Sequence, residues 1–237
     1  MTSPEVLISN LHALPKLMPA QNLPAHVHSV LFEAILSGTL APGERLLVDE
    51  VAEHFGVSKI PIREALKSLE ASGWVEIRPR RGTFVKPLSA EEMRQIFEMR
   101  RLLEPYCARM AALRRTDSHL AELGELVKEG RRTIQLGDVV STNRINGRFH
   151  SVMAEAVGNE MLGNAVTELE FRLRRYFMAV DWKQRSESMA QHRAIYEAMR
   201  EKDAKRAEEL TLAHLDHIES LATKAVAREG FLLDAQA

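Results

Sequence analysis

Three histidines lie in well-separated stretches of the chain: His150 in NGRFHSVMAEAVGN, His192 in MAQHRAIYEAM and His214 in AEELTLAHLDHIES. Each has apolar neighbours at helical spacing, so each can face a core. Asn146 precedes His150 by four residues, one helical turn, and shares its face. A single such histidine is ordinarily a hydrogen-bonded core or surface residue. Three on separate helices, with an amide oxygen one turn from the first, make a candidate site for a divalent cation such as Zn or Ni. The alternative of a metal-dependent enzyme lacks support, because no HExxH pattern is present and no Glu or Asp is placed as an obvious general base.

A second constellation is basic. In VSKIPIREALKSLEAS, Lys59, Arg63 and Lys67 recur every four residues and stack on one helical face, while Ile62, Ala65, Leu66 and Leu69 form an apolar stripe. Ser58 is placed to cap this helix, Pro61 falls in its first turn and Gly73 supplies the stop. The pattern then changes period. Trp74-Val75-Glu76-Ile77-Arg78 alternates, Pro79-Arg80-Arg81-Gly82 turns and Thr83-Phe84-Val85 returns, which predicts a small hairpin. From Ser58 to Lys86 seven Lys or Arg stand against three Glu, a local excess in a chain whose net charge is only −1. Cations concentrated on a helix and a hairpin suit a phosphate backbone.

The elements that must carry these residues are mostly helices. The spacing predicts one helix from Pro24 to Gly38 and a turn around Pro42-Gly43. A short helix with Val48, Val51, Ala52 and Phe55 inward follows, and then the basic helix. Two short helices joined through Gly56, the second basic, form a helix-turn-helix pattern. After Pro87-Leu88-Ser89 a capping box, Ser89-Ala-Glu-Glu92, opens a long helix. Six helices are predicted from there on, over 90–114, 118–136, 138–157, 160–180, 185–201 and 203–228. The expected fold is mainly α: a winged helix-turn-helix with a small β-hairpin wing, then an all-α antiparallel bundle. The expected divisions are an N-terminal arm over 1–22, a DNA-binding domain over 23–87, a helical effector-binding and dimerisation domain over 88–228 and a tail over 229–237.

The chain has 237 residues, 45% of them hydrophobic and 27% charged, enough for two ordinary domains. No apolar run approaches the roughly 20 residues that cross a bilayer, so no membrane partner is expected. The first residues lack a basic start followed by a sustained apolar run, so no signal peptide is expected either. Cys107 is the single cysteine, which excludes an internal disulfide and fits a reducing cytoplasm.

The segment GVSKIPIREALKSLEASGWVEIRPRRGTFV (56–85) resembles the winged-helix signature of the GntR family of bacterial transcription regulators. The resemblance implies that Ser58, Lys59, Arg63 and Lys67 meet the major groove of double-stranded DNA, and that Arg80, Arg81 and Gly82 approach the minor groove. Members of the family often carry Arg at the position of Lys59. Lysine lacks the planar fork that matches guanine, so base discrimination there is expected to be softer. The alternative for Arg63 is a surface pair with Glu64 or Glu70.

The second half resembles the ligand-binding (FCD) domain of the FadR-type branch, through FEMRRLLEP (97–105), FHSVMAEAVGN (149–159), HRAIYEAM (192–199) and HLDHI (214–218). Its six helices resemble the shorter VanR-like subgroup. The resemblance implies a divalent metal held by Asn146, His150, His192 and His214, with Asn146 replacing the family's usual Asp. It also makes Arg100 a candidate anchor for a carboxylate effector, against the alternative of a salt bridge to Glu104. Without the Asp, three imidazoles and an amide leave the ion's charge uncompensated, which favours an anionic effector. The function so implied is a homodimeric regulator, more often a repressor, on a palindromic operator. A metal-free organic-acid sensor is the alternative within the same class. The aromatic and basic run FRLRRYF (171–177) is a candidate pocket wall, against ordinary amphipathic packing.

Overall fold

The computed structural model describes residues 22–178 and 182–228, together with Leu11 and residues 13–15. The predicted N-terminal arm lies largely outside the described residues, as do the tail over 229–237 and the end of the helix predicted to reach residue 180. The chain divides into two units, Met1–Leu88 and Ser89–Ala237.

In the first unit, α1 (Leu23–Leu36) starts where the Asn22 side chain accepts the Ala25 N–H at 3.2 Å, with Pro24 in the first turn. It buries Val27, Leu31, Ala34, Ile35 and Leu36. The strand β1 (Arg45–Leu46) leads into α2 (Val48–Phe55), which ends at Gly56 in the left-handed conformation (φ 67°). Helix α3 (Lys59–Ala71) follows, burying Pro61, Ile62, Ala65, Leu66 and Leu69. Ser58 holds the N-cap position with extended backbone, but its hydroxyl accepts no hydrogen bond from the first turn. The strands β2 (Val75–Arg78) and β3 (Gly82–Val85) form the predicted hairpin. Trp74, only 2% exposed, sets its ring edge-on to Phe32 at 4.9 Å and so docks the hairpin on α1.

One strand was not anticipated. The sheet has three strands in the order β1-β3-β2, all antiparallel, with Arg45 opposite Phe84 and Ile77 opposite Thr83. Arg45-Leu46 is too short to show an alternation, and the sequence reads there as part of a turn.

The second unit is a bundle of six helices among the described residues: α4 (Ala90–Arg114), α5 (Asp117–Leu136), α6 (Val139–Glu155), α7 (Glu160–Phe177), α8 (Trp182–Arg200) and α9 (Ala204–Arg228). Their starts are set by side chains that accept from orphan backbone amides: Ser89 from Glu92, Thr116 from His119, Asp138 from Ser141 and Asn159 from Leu162. His119 completes a capping box by accepting the Thr116 N–H through Nδ1. The most extensive helix–helix packing is between α4 and α9 and between α6 and α7. Phe149, Val152, Met153, Val166, Ile195 and Met199 fill the core between them. No described helix is long and apolar enough to cross a membrane.

Candidate functional site

The basic helix presents its cations to solvent. Ser58, Lys59, Arg63, Lys67, Arg80 and Arg81 are all exposed, and Gly82 is half-buried. Lys59 Nζ lies 2.8 Å from Asp49 Oδ2, a solvated pair worth little to stability. Glu70, one of the alternative partners of Arg63, instead accepts the Ile77 N–H at 3.1 Å and ties α3 to the hairpin.

At the wing tip, Arg80 takes a positive φ of 61° and Gly82 a φ of 111°. A Cβ added at Gly82 would meet Arg45 Nε at 3.0 Å, so the glycine admits a third arginine beside Arg80 and Arg81. Arg45 belongs to the strand that escaped notice, and only the fold brings it to the wing. The Arg78 guanidinium lies 4.5 Å over the Phe84 ring and pairs with Glu76.

In the second unit the three histidines meet. His150 on α6, His192 on α8 and His214 on α9 are each 0–1% exposed. His150 Nε2 is 3.1 Å from His192 Nε2, which is 3.2 Å from His214 Nε2. Phe149 stacks on His192 with ring centroids 4.4 Å apart and planes 9° from parallel. His214 Nδ1 is 2.8 Å from Gln191 Oε1, so Nδ1 carries the proton and the Nε2 lone pair turns inward. Burial, then the charges of neighbouring His150 and Arg100, holds His192 well below its ordinary pKa. Burial and the adjacent His192 do the same to His214. Both imidazoles are therefore neutral.

This donor set fits a cation. One ring nitrogen offers either a proton or a lone pair, so His192 Nε2 cannot donate to one neighbour while accepting from the other. Two nitrogens each about 2.0–2.1 Å from one ion, at ordinary coordination angles, lie roughly 2.9–3.4 Å apart. The observed separations fall in that range.

Behind the imidazoles sits a buried charge group, of which helical spacing offered the Arg100–Glu104 pair but not Glu170. His150 Nδ1 lies 2.8 Å from Glu104 Oε2, off the line of a good hydrogen bond. Glu104 pairs with Arg100 one turn earlier on α4, and Arg100 Nη2 is 2.6 Å from Glu170 Oε1 on α7. Burial would raise the Glu104 carboxyl, but Arg100 and then His150 overcome it and hold the group well below the usual range. Burial raises Glu170 in spite of the same arginine. Glu104, His150 and Glu170 also stand close enough to form a second cluster of ligand type.

Two expectations change as a result. Arg100 is fully buried and faces two carboxylates of its own chain, the Glu104 pair included, so its guanidinium is already engaged. The site also does not lack a protein anion, because the ionised Glu104 stands next to His150. Asn146 is half-buried and lines a narrow cavity with Asn143, Glu170, Leu173, Arg174 and Phe177. The last three come from the FRLRRYF run. Arg185 on α8 is buried and donates to Asn143 Oδ1 and the Phe177 carbonyl. His217 stays half-exposed, 3.7 Å from Glu187.

Residues 23–85 match the family of bacterial regulatory proteins called gntR, and residues 95–217 match the FCD domain. The regulator LutR of Bacillus subtilis is 32% identical over 215 residues, covering 79% of this chain and 95% of that protein. The chain belongs to the GntR family. The transcriptional repressor RspR of Escherichia coli is 27% identical, with 86% of this chain and 90% of RspR covered. The structure of E. coli McbR/YncC superimposes with a TM-score of 0.76 at 22% identity, over 87% of this chain and 99% of that one, and supports the fold. This GntR member is thus a DNA-binding transcription regulator with an FCD effector domain, and its relatives are regulators rather than enzymes. FCD domains are often metal-binding, and the histidine and glutamate clusters are candidates for that role.

Proposed function

We propose that this regulator is a cytoplasmic homodimer that represses transcription from a palindromic operator, and that a small carboxylate bound beside a divalent metal controls its affinity for DNA. The observation that carries the reading is the convergence of His150, His192 and His214 Nε2 in a buried part of the bundle. Asn146, one turn from His150 on the cavity wall, would add an amide oxygen. A bound ion would supply positive charge and an open position for an effector oxygen. The chain's own residues do the rest. Gln191 fixes the ring of His214, Glu104 faces the outer nitrogen of His150, and Arg100 keeps Glu104 ionised. Ser58, Lys59, Arg63 and Lys67 would meet the major groove, and Arg80, Arg81 and Gly82 the minor groove. Repression is favoured by relatives named as repressors, RspR and the galactonate operon repressor of E. coli.

Effector control requires that the carboxylate bind the DNA-competent and DNA-incompetent states with different affinity. The decisive test is calorimetry with a series of small carboxylates on protein purified without a histidine tag, before and after chelation. Binding that disappears with the metal supports the reading, and equal binding without it refutes the metal's part. One observation favours a metal-free acid sensor instead: Arg174, buried and on the same cavity wall, could pair with a carboxylate directly. In that case binding survives chelation and falls in Arg174→Met.

A further inference from the structure

Ile60 is the residue of α3 that points most directly away from the protein. At about 100° per residue, the buried Pro61, Ile62, Ala65, Leu66 and Leu69 occupy one arc, and Ile60 lies about 10° from the direction opposite its centre. Its side chain is large, aliphatic and 65% exposed. Lone exposed apolar residues are common and need no explanation. Ile60 differs in its company: exposed Lys67 and Arg63 lie about 20° and 60° from it on one side of the same arc, Glu64 lies on the other, and Lys59 precedes it in the first turn. The face therefore sets one apolar side chain directly beside a basic row.

A duplex is the partner that matches both properties. Its phosphates meet the cations, and in the major groove thymine alone among the bases presents a methyl group. N-terminal residues of a recognition helix are those that reach base edges. We infer that Ile60 packs against the C5-methyl group of a thymine and makes that base a fixed element of the operator. The inference rests on α3 being the groove helix. It places the sequence preference lost by Lys59, which lacks arginine's planar fork, partly on an apolar contact beside it.

The test uses the full chain and an operator selected by that chain from a random duplex pool. Each thymine of the selected site is replaced, one at a time, by deoxyuridine, which removes the methyl group and nothing else. For the natural protein, replacement at one thymine per bound protomer should weaken binding about fourfold, the value for one buried methyl group. Ile60→Ala protein should bind both versions of that site equally well. The inference is overturned if the selected site holds no thymine whose methyl the natural protein senses, or if Ile60→Ala protein senses the same methyl as strongly. Arg63→Ala separates this from the underlying assignment. Loss of binding in Arg63→Ala with no thymine effect sinks the Ile60 contact alone, whereas undiminished binding in Arg63→Ala sinks the groove helix itself.

Discussion

His150 and Glu104 face each other across 2.8 Å, nitrogen to carboxylate oxygen, with both side chains fully buried. The imidazole therefore turns Nδ1 to the acid and leaves Nε2 for the cluster with His192. Carboxylates placed behind metal-binding histidines raise ligand basicity and fix the ring, and losing one typically costs about 10–100-fold in metal affinity. Glu104→Gln keeps an oxygen for Nδ1–H but removes the charge, so it should weaken zinc binding by about that factor. Competition against a chromogenic chelator reads the affinity. Unchanged zinc binding in a folded Glu104→Gln protein would show that Glu104 serves only Arg100.

Arg100 itself should prove structural. Its charge is buried between Glu104 and Glu170, and removing one partner of a buried ion pair costs about 3–5 kcal/mol because the other charges are left uncompensated. Arg100→Met should lower the midpoint of urea unfolding accordingly, whether or not an effector is present. A loss of effector binding at unchanged stability would instead restore Arg100 as an anchor.

Asn146 brings no charge to the cavity wall it shares with Glu170 and Arg174. Asn146→Asp should tighten divalent-metal binding by about tenfold, as expected for a hard anionic oxygen in place of an amide. The same change should reduce the preference for carboxylates over neutral ligands, since less positive charge remains for the effector. Calorimetry on the two proteins measures both quantities. Equal metal affinity would mean that Asn146 lies outside the ligand set.

Cys107 lies in the bundle core, and burial, with a smaller push from the Glu104 charge, raises its thiol to about 12. The thiolate is the reactive form, so Cys107 should resist iodoacetamide at pH 8 while the bundle is folded. Alkylation should then follow the opening of the bundle and slow further when zinc stabilises the closed form. Rapid labelling of the native protein, confirmed by mass spectrometry, would contradict this packing.

The cations of the first unit should differ in what they contribute. Lys67→Ala should reduce the steepness of the salt dependence of operator binding by about one unit, the signature of one lost phosphate contact. Arg45→Ala should weaken binding as Arg81→Ala does, because the two arginines share the wing tip at Gly82. Filter binding across a salt series distinguishes a phosphate contact from a base contact. Normal binding by Arg45→Ala would remove it from the interface.

What the sequence disclosed, and what it hid, follows from the range of the interactions. Helix starts were legible because Ser89, Thr116 and Asn159 act on amides three residues away. The helix-turn-helix was legible for the same reason, with Gly56 and Gly73 marking its stops. The meeting of His150, His192 and His214 could be named as a candidate from spacing and resemblance, but their separations could not. Glu170 escaped entirely, because an ion pair from α7 to Arg100 on α4 leaves no trace in either helix's periodicity. Arg45 escaped because its two-residue strand is defined only by its partner β3.

His214 lies on α9, the sixth helix of its unit, 64 positions beyond His150. The trio of nitrogens is therefore assembled only once that helix has docked, and a nascent or partly folded chain offers at most two of them in place. A divalent ion held by all three would therefore favour the fully docked bundle over partly folded chains.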